Sequence, residues 1–222
     1  MLNFICLNWG TKYNTDFVNK LYNMISRKFD NFKLHCITEP EKIEWLKEEI
    51  NVIPLPDDNL EKWWWKIWLF NEEWMQLDNC IFLDLDLVIQ KPFAPTFGDK
   101  PKVLFTDWID TDELWNGINQ YSHRYYDYCE INSSVIMWDR NTKRQHIFDA
   151  FQKNKEKILF LFRGMDNYIN NRHKDEYDII PQIAHSYWTT GKTWKDVPVI
   201  LFDYNENKQD TVDEEWVKHL WK

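Results

Sequence analysis

The sequence predicts an α/β fold with a mostly parallel central sheet flanked by helices. Two observations carry this: short apolar runs alternate with stretches of helical periodicity, and the order β-α-β-α repeats through the first eighty or so residues. A third is size, since 222 residues suit one domain able to bury a substantial core.

Phe4 to Leu7 reads as the first strand. Thr15 or Asp16 is placed to cap a helix with Phe17, Leu21, Met24 and Ile25 at helical spacing. Phe32 to Ile37 is a second strand, Glu41 to Glu49 a short helix, and Val52-Ile53 a brief strand stopped by Pro54 and Pro56. Lys62 to Gln76 is expected as a helix with Trp64, Ile67, Trp68 and Met75 largely on one face, followed by a buried strand from Cys80 to Asp84. The second half is less regular. Strands are expected at Val103 to Thr106, Ile131 to Trp138, Ile179-Ile180 and Val199 to Phe202. Helices are expected at Thr142 to Lys157, Met165 to Asn171 and Val212 to Lys222. Without a repeat or flexible linker, the chain reads as one domain, residues 1–222.

A formal net charge of −9 argues against nucleic acid or an anionic bilayer as the main partner. No apolar run is long enough for a membrane span. Met1 to Asn8 lacks a basic flank and a small-residue cleavage site, so it reads as a core strand rather than a signal peptide. Cys6, Cys36, Cys80 and Cys129 show no paired spacing and are read as reduced thiols of a cytoplasmic protein. Most of the fourteen tryptophans must serve packing, and a few aromatic faces are candidates for stacking on sugar rings.

The most informative segment is Ile81-Phe-Leu-Asp84-Leu-Asp86-Leu-Val-Ile89. Its apolar run drives a strand into the core, and two aspartates follow where open parallel sheets bind ligands. Residues i and i+2 of an extended chain face one side, so both carboxylates can converge on one Mg²⁺ or Mn²⁺ shared with phosphates. The bland alternative is a pair capping a turn, but a carboxylate bracketed by Leu83 and Leu85 is costly to bury without a partner. Two enzyme classes use such a pair. In haloacid-dehalogenase-like phosphohydrolases it lies on the first strand, with the first Asp as nucleophile. In A-type glycosyltransferases it follows a nucleotide-binding half, and here the pair comes after eighty or so residues of expected α/β structure.

Further segments carry a resemblance: the loop Asn8-Trp-Gly-Thr-Lys-Tyr13; Lys66 in Trp64-Trp-Lys66-Ile-Trp68; Asn132-Ser-Ser-Val-Ile-Met137; and Gly164-Met-Asp166-Asn167-Tyr-Ile-Asn170. The last is Ile183-Ala-His185-Ser-Tyr-Trp-Thr-Thr-Gly191-Lys192-Thr-Trp194. In this order, with the Asp pair, they resemble the family 8 glycosyltransferases, which include glycogenin and bacterial retaining galactosyltransferases. The resemblance implies a metal-dependent hexosyl transfer from a UDP-sugar, with retention of configuration and manganese preferred over magnesium. It implies Asp84, Asp86 and His185 as metal ligands. It implies Asn8, Tyr13 (packed on uracil), Lys66, Asp84, Gly191 and Lys192 as donor-binding residues. Asn132, Asp166 and Asn167 would orient sugar hydroxyls, and Asp107, after a strand, is a further candidate. Ser134 stands where the family has Gly, and Asn167 where it has Gln, which also leaves room for a non-catalytic carbohydrate-binding protein on the same fold. Lys66 as a solvated helix residue and His185 as a core histidine are the plain alternatives. The aromatic stretch with Trp108, Trp115, Tyr121, Tyr125 and Tyr126 is a candidate acceptor side.

Overall fold

The computed structural model describes residues 1–106, 129–187, 196–202 and 215–222. Its larger sheet has seven strands in the order β3-β2-β1-β4-β7-β6-β8. These are β1 (Leu2–Asn8), β2 (Phe32–Thr38), β3 (Asn51–Pro54), β4 (Cys80–Leu83), β6 (Lys102–Phe105), β7 (Ile131–Trp138) and β8 (Asp178–Ile179). Strands β1, β2, β3 and β4 run parallel, β7 is antiparallel to both β4 and β6, and β8 is parallel to β6. The expected mostly parallel sheet is met, with β7 as its reversed member.

Residues alternate between the two faces of this sheet. Phe4, Cys6, Leu34, Cys36, Ile81 and Leu83 join one apolar cluster with α1 (Thr15–Ser26). Ile5, Ile37, Cys80 and Phe82 join the other, against the Lys62–Phe70 segment, α2 (Gln145–Lys153) and α4 (Met165–Arg172). Strands covered on both faces must be apolar at consecutive positions, which is why β1 and β4 read so clearly. Helix α1 is capped by Asn14, whose side chain accepts from the Asp16 N–H at 3.1 Å, rather than by Thr15 or Asp16.

Two expected helices are 3₁₀ segments, Pro40–Trp45 and Lys62–Phe70. The second ends early for a tertiary reason. The Leu69 carbonyl, which a continuing α-helix would use for its own ladder, accepts from Arg144 Nε at 2.9 Å, and the Met75 carbonyl accepts from another guanidinium nitrogen at 2.7 Å. Three consecutive tryptophans also disfavour an α-helix, and Trp64, Trp65, Lys66 and Ile67 are buried on every side rather than along one stripe. The stretch expected as one helix from Thr142 divides at Asn154 into α2 and α3 (Lys155–Leu161).

A smaller sheet, in the order β5-β10-β9, joins β5 (Leu87–Ile89), β10 (Val199–Leu201) and β9 (Ala184–Ser186). A last helix, α5 (Glu215–Leu220), buries Val217, with Trp221 buried just beyond it. No described helix is long and apolar enough to cross a membrane.

Candidate active site

The chain passes from one sheet to the other at Asp84-Leu85-Asp86. The Asp84 N–H donates to the Ser134 carbonyl at 2.9 Å, continuing the β4–β7 ladder, and the Asp86 carbonyl accepts from the Phe202 N–H at 3.0 Å, continuing the β5–β10 ladder. Leu85 is buried between them. Both aspartates are thereby held by backbone at the junction, and both line a cleft of about 720 Å³.

Lys66 reaches this junction from the 3₁₀ segment. Its Nζ lies 2.7 Å from Asp84 Oδ2, with side-chain exposures of only 8% and 22%. The same ammonium donates to the Ser133 carbonyl at 3.3 Å and to Ser133 Oγ at 3.2 Å. The plain reading of Lys66 as a solvated residue is thus excluded. Ser133 also donates its N–H to Asp166 Oδ2 at 3.3 Å, linking the first turn of α4 to the network. Burial disfavours the Lys66 ammonium, but Asp84 first, then Asp166 and Asp86, outweigh it and hold its pKa above the usual lysine value. Burial pushes the Asp84 carboxyl upward against the pull of Lys66, and the negative charge of Asp86 adds to the rise.

The loop after β1 forms another wall, with Trp9, Gly10, Thr11, Lys12 and Tyr13 facing the cleft. Gly10 has φ +63°, a left-handed conformation suited to glycine, and its N–H donates to the Glu39 carboxylate at 3.2 Å. Lys42, paired with Glu39 at 2.8 Å, donates to the Gly10 carbonyl and so ties the loop from its other side. Tyr13 donates its hydroxyl to Asp86 Oδ2 at 2.9 Å. Burial, then the charge of Asp86, raises its phenol pKa.

Asp84, Asp86, Lys66, Tyr13, Asn132 and Asp166, all singled out from sequence, therefore meet in one cleft. Asn132 turns its Oδ1 onto the Ser134 N–H at 2.8 Å. Asn8 lies behind the wall, fully buried, its Oδ1 accepting from Lys42 at 3.1 Å and its Nδ2 without an acceptor among the described residues. Asn167 is buried within α4, outside the described lining. His185 stands on β9, opposite Ile200, while Asp86 is met by Phe202, two residues after Ile200 and just beyond the end of β10. The ligand atoms of Asp84, Asp86 and His185 do not all fall within 4.8 Å of one another. Asp107, Gly191, Lys192, Trp194 and the aromatic stretch from Trp108 to Tyr126 lie outside the described residues.

Sequence reading missed three cleft residues. Ser133 acts largely through its backbone, which leaves no residue-type signature. Lys62 has φ 54°, uncommon for a non-glycine residue and of a kind that concentrates at functional sites. Trp63, 41% exposed, lies against Gly164, where a Cβ would come within 2.3 Å of its Nε1. The φ of Gly164 is extended, so space rather than backbone freedom requires glycine there.

The donor set suits a hard divalent cation. Of the three carboxylates on the cleft, Asp84 is pushed upward by burial and by Asp86, and added positive charge relieves both effects.

No protein-family model matches the chain, and no curated protein matches it in sequence. Solved structures do. The galactosyltransferase LgtC, in complex with donor and acceptor sugar analogs, superposes with TM-score 0.63 at 11% identity, covering 94% of this chain and 91% of that one. Mouse xyloside xylosyltransferase 1 gives TM-score 0.52 at 12% identity, over 92% and 98% of the two chains. GlyE of Streptococcus pneumoniae TIGR4 gives 0.60 at 12% identity, this chain spanning 63% of its length. The likeness establishes the fold, that of A-type glycosyltransferases.

Proposed function

We propose that this protein is a metal-dependent glycosyltransferase that moves a hexose from a UDP-linked donor to a hydroxyl acceptor with retention of configuration. The observation that carries the reading is the Asp84–Asp86 junction. Two backbone-held carboxylates and a buried lysine meet at the strand ends of a glycosyltransferase fold. Asp84 and Asp86 would hold a manganese or magnesium ion, with His185 as the third ligand proposed from its motif. Bound there, the ion supplies charge stabilisation to a departing nucleoside diphosphate.

The protein's own residues do the rest. Lys66 places fixed positive charge beside Asp84, where negative charge develops on the leaving group, and its hydrogen bonds to Ser133 keep it from swinging away. Gly191 and Lys192 are proposed for the diphosphate from the same motif. Tyr13 and the tethered loop around it form the side proposed for the base. Asp166 and Asn132, across the cleft, are proposed to orient the sugar, with Asp107 and Asn167 in supporting roles. Residues 1–90 are read as the nucleotide half of a single domain and 91–222 as the sugar half. The four free cysteines support a reducing, cytoplasmic setting.

The test is transfer or slow hydrolysis of UDP-hexoses with Mn²⁺ and then with EDTA. Sugar released only with the ion supports the reading; sugar bound without nucleotide or ion, and never transferred, favours a carbohydrate-binding protein.

A further inference from the structure

Away from the cleft, two imidazoles and one carboxylate converge. His146 Nε2 lies 2.7 Å and His173 Nδ1 2.6 Å from the same oxygen, Oε2 of Glu176. One ligand atom from each of these three residues lies within 4.8 Å of the others, which holds for no other such group among the described residues. The three come from different places in the fold. His146 is in the first turn of α2, His173 is the C-cap of α4, and Glu176 is in the turn that follows, its N–H donating to the His173 carbonyl at 2.9 Å.

We propose that His146, His173 and Glu176 form a second metal site, for zinc or a similar borderline divalent cation, that staples the start of α2 to the end of α4. Two imidazoles and a carboxylate are a donor set that suits zinc, unlike the oxygen ligands offered at the aspartate pair.

The surroundings are those of a supported site. His173 Nε2 lies 2.8 Å from the Tyr168 hydroxyl, which can itself donate to the Ile147 carbonyl at 3.4 Å. With an ion on Nδ1 the ring proton would move to Nε2 and be donated to that hydroxyl, the way outer partners orient metal-bound histidines. The His173 side chain is only 8% exposed, so one ligand is held inside the protein. His146 and Glu176 are 49% and 40% exposed, so an ion has an entry path and water can complete its coordination. Tetrahedral ligands at zinc distances stand about 3.3 Å apart, wider than the 2.7 and 2.6 Å at which Glu176 Oε2 meets the two imidazoles, so the carboxylate would draw back to admit the ion.

The experiment uses the full chain, stripped of metal, titrated with Co²⁺ and with Zn²⁺ against a chromophoric chelator. Wild type, His146→Ala and Asp86→Asn are compared, with circular dichroism checking that each is folded. Visible Co²⁺ bands of low coordination number are expected in wild type and in Asp86→Asn, and absent in His146→Ala. Zinc affinity is expected to fall at least about tenfold in His146→Ala, and by a similar factor in Tyr168→Phe. Co²⁺ spectra and zinc affinities that are the same in wild type and His146→Ala would overturn the proposal. Catalytic activity enters neither readout, so failure here leaves the reading of the cleft untouched.

Discussion

Lys66 Nζ and Asp84 Oδ2 lie 2.7 Å apart at the junction of the two sheets, the lysine nearly sealed from solvent and the aspartate turned partly to the cleft. Removing one partner of such a pair leaves the other charge in place without its counter-ion. Lys66→Met is expected to lower stability by about 2–3 kcal/mol, below the full cost for a sealed pair because Asp84 keeps some exposure. It should also lower kcat more than it raises KM for the donor. Mn²⁺ should restore part of the lost melting temperature, since an ion at Asp84 replaces the missing charge. Urea unfolding with and without Mn²⁺ checks this; a variant as stable as wild type would show that the pair holds nothing together.

The third proposed ligand can be tested separately. His185→Ala is expected to weaken Mn²⁺ affinity by about tenfold or more while moving the melting temperature little, because the side chain is only half-buried on a short strand. A large fall in melting temperature with unchanged metal affinity would make His185 a packing residue.

Trp63 and Gly164 form a steric pair. Gly164→Ala places a methyl group 2.3 Å from the indole nitrogen, so the ring must leave its place on the cleft wall. The variant is expected to lose about 1–3 kcal/mol, typical of overpacking, and to bind donor or acceptor more weakly. In Trp63→Ala the same Gly164 substitution should cost almost nothing. A double-mutant cycle measures the difference, and simple additivity would contradict the contact.

Acid stability should report on Asp58. Burial raises its pKa, but hydrogen bonds from Lys155 and from Trp68 Nε1, the latter at 3.0 Å, outweigh that and leave it below the usual aspartate value. A carboxyl with a depressed folded-state pKa stabilises the protein above its unfolded pKa, about 3.9. That contribution is lost as pH falls through the folded value. Asp58→Asn is therefore expected to lower the melting temperature near neutrality and to flatten its decline below about pH 4. Parallel curves for the two proteins from pH 6 to pH 2 or so would refute the assignment.

How much of this could be read beforehand depended on whether a feature was local. Strand β7 was predicted at Ile131 to Trp138 and observed there, because a strand covered on both faces needs an apolar run. Asp84 and Asp86 stood out because carboxylates interrupt such a run. The 3₁₀ segment did not, since its end is set by Arg144, more than seventy residues away in sequence, taking the Leu69 and Met75 carbonyls. Ser133 was hidden because two of its three contacts with Asp166 and Lys66 are made by its peptide groups, and only the third, its hydroxyl to Lys66, depends on residue type. Trp63 was one aromatic among many, and only its seat over Gly164 sets it apart.

The central claim is that the aspartate junction holds a divalent ion together with a nucleoside diphosphate. Calorimetric titration of UDP into the protein, first with Mn²⁺ and then with EDTA, tests it most directly. Binding that appears with Mn²⁺, vanishes on chelation and is lost in Asp86→Asn is the predicted result. No binding under either condition, or binding indifferent to EDTA and to Asp86, would contradict it.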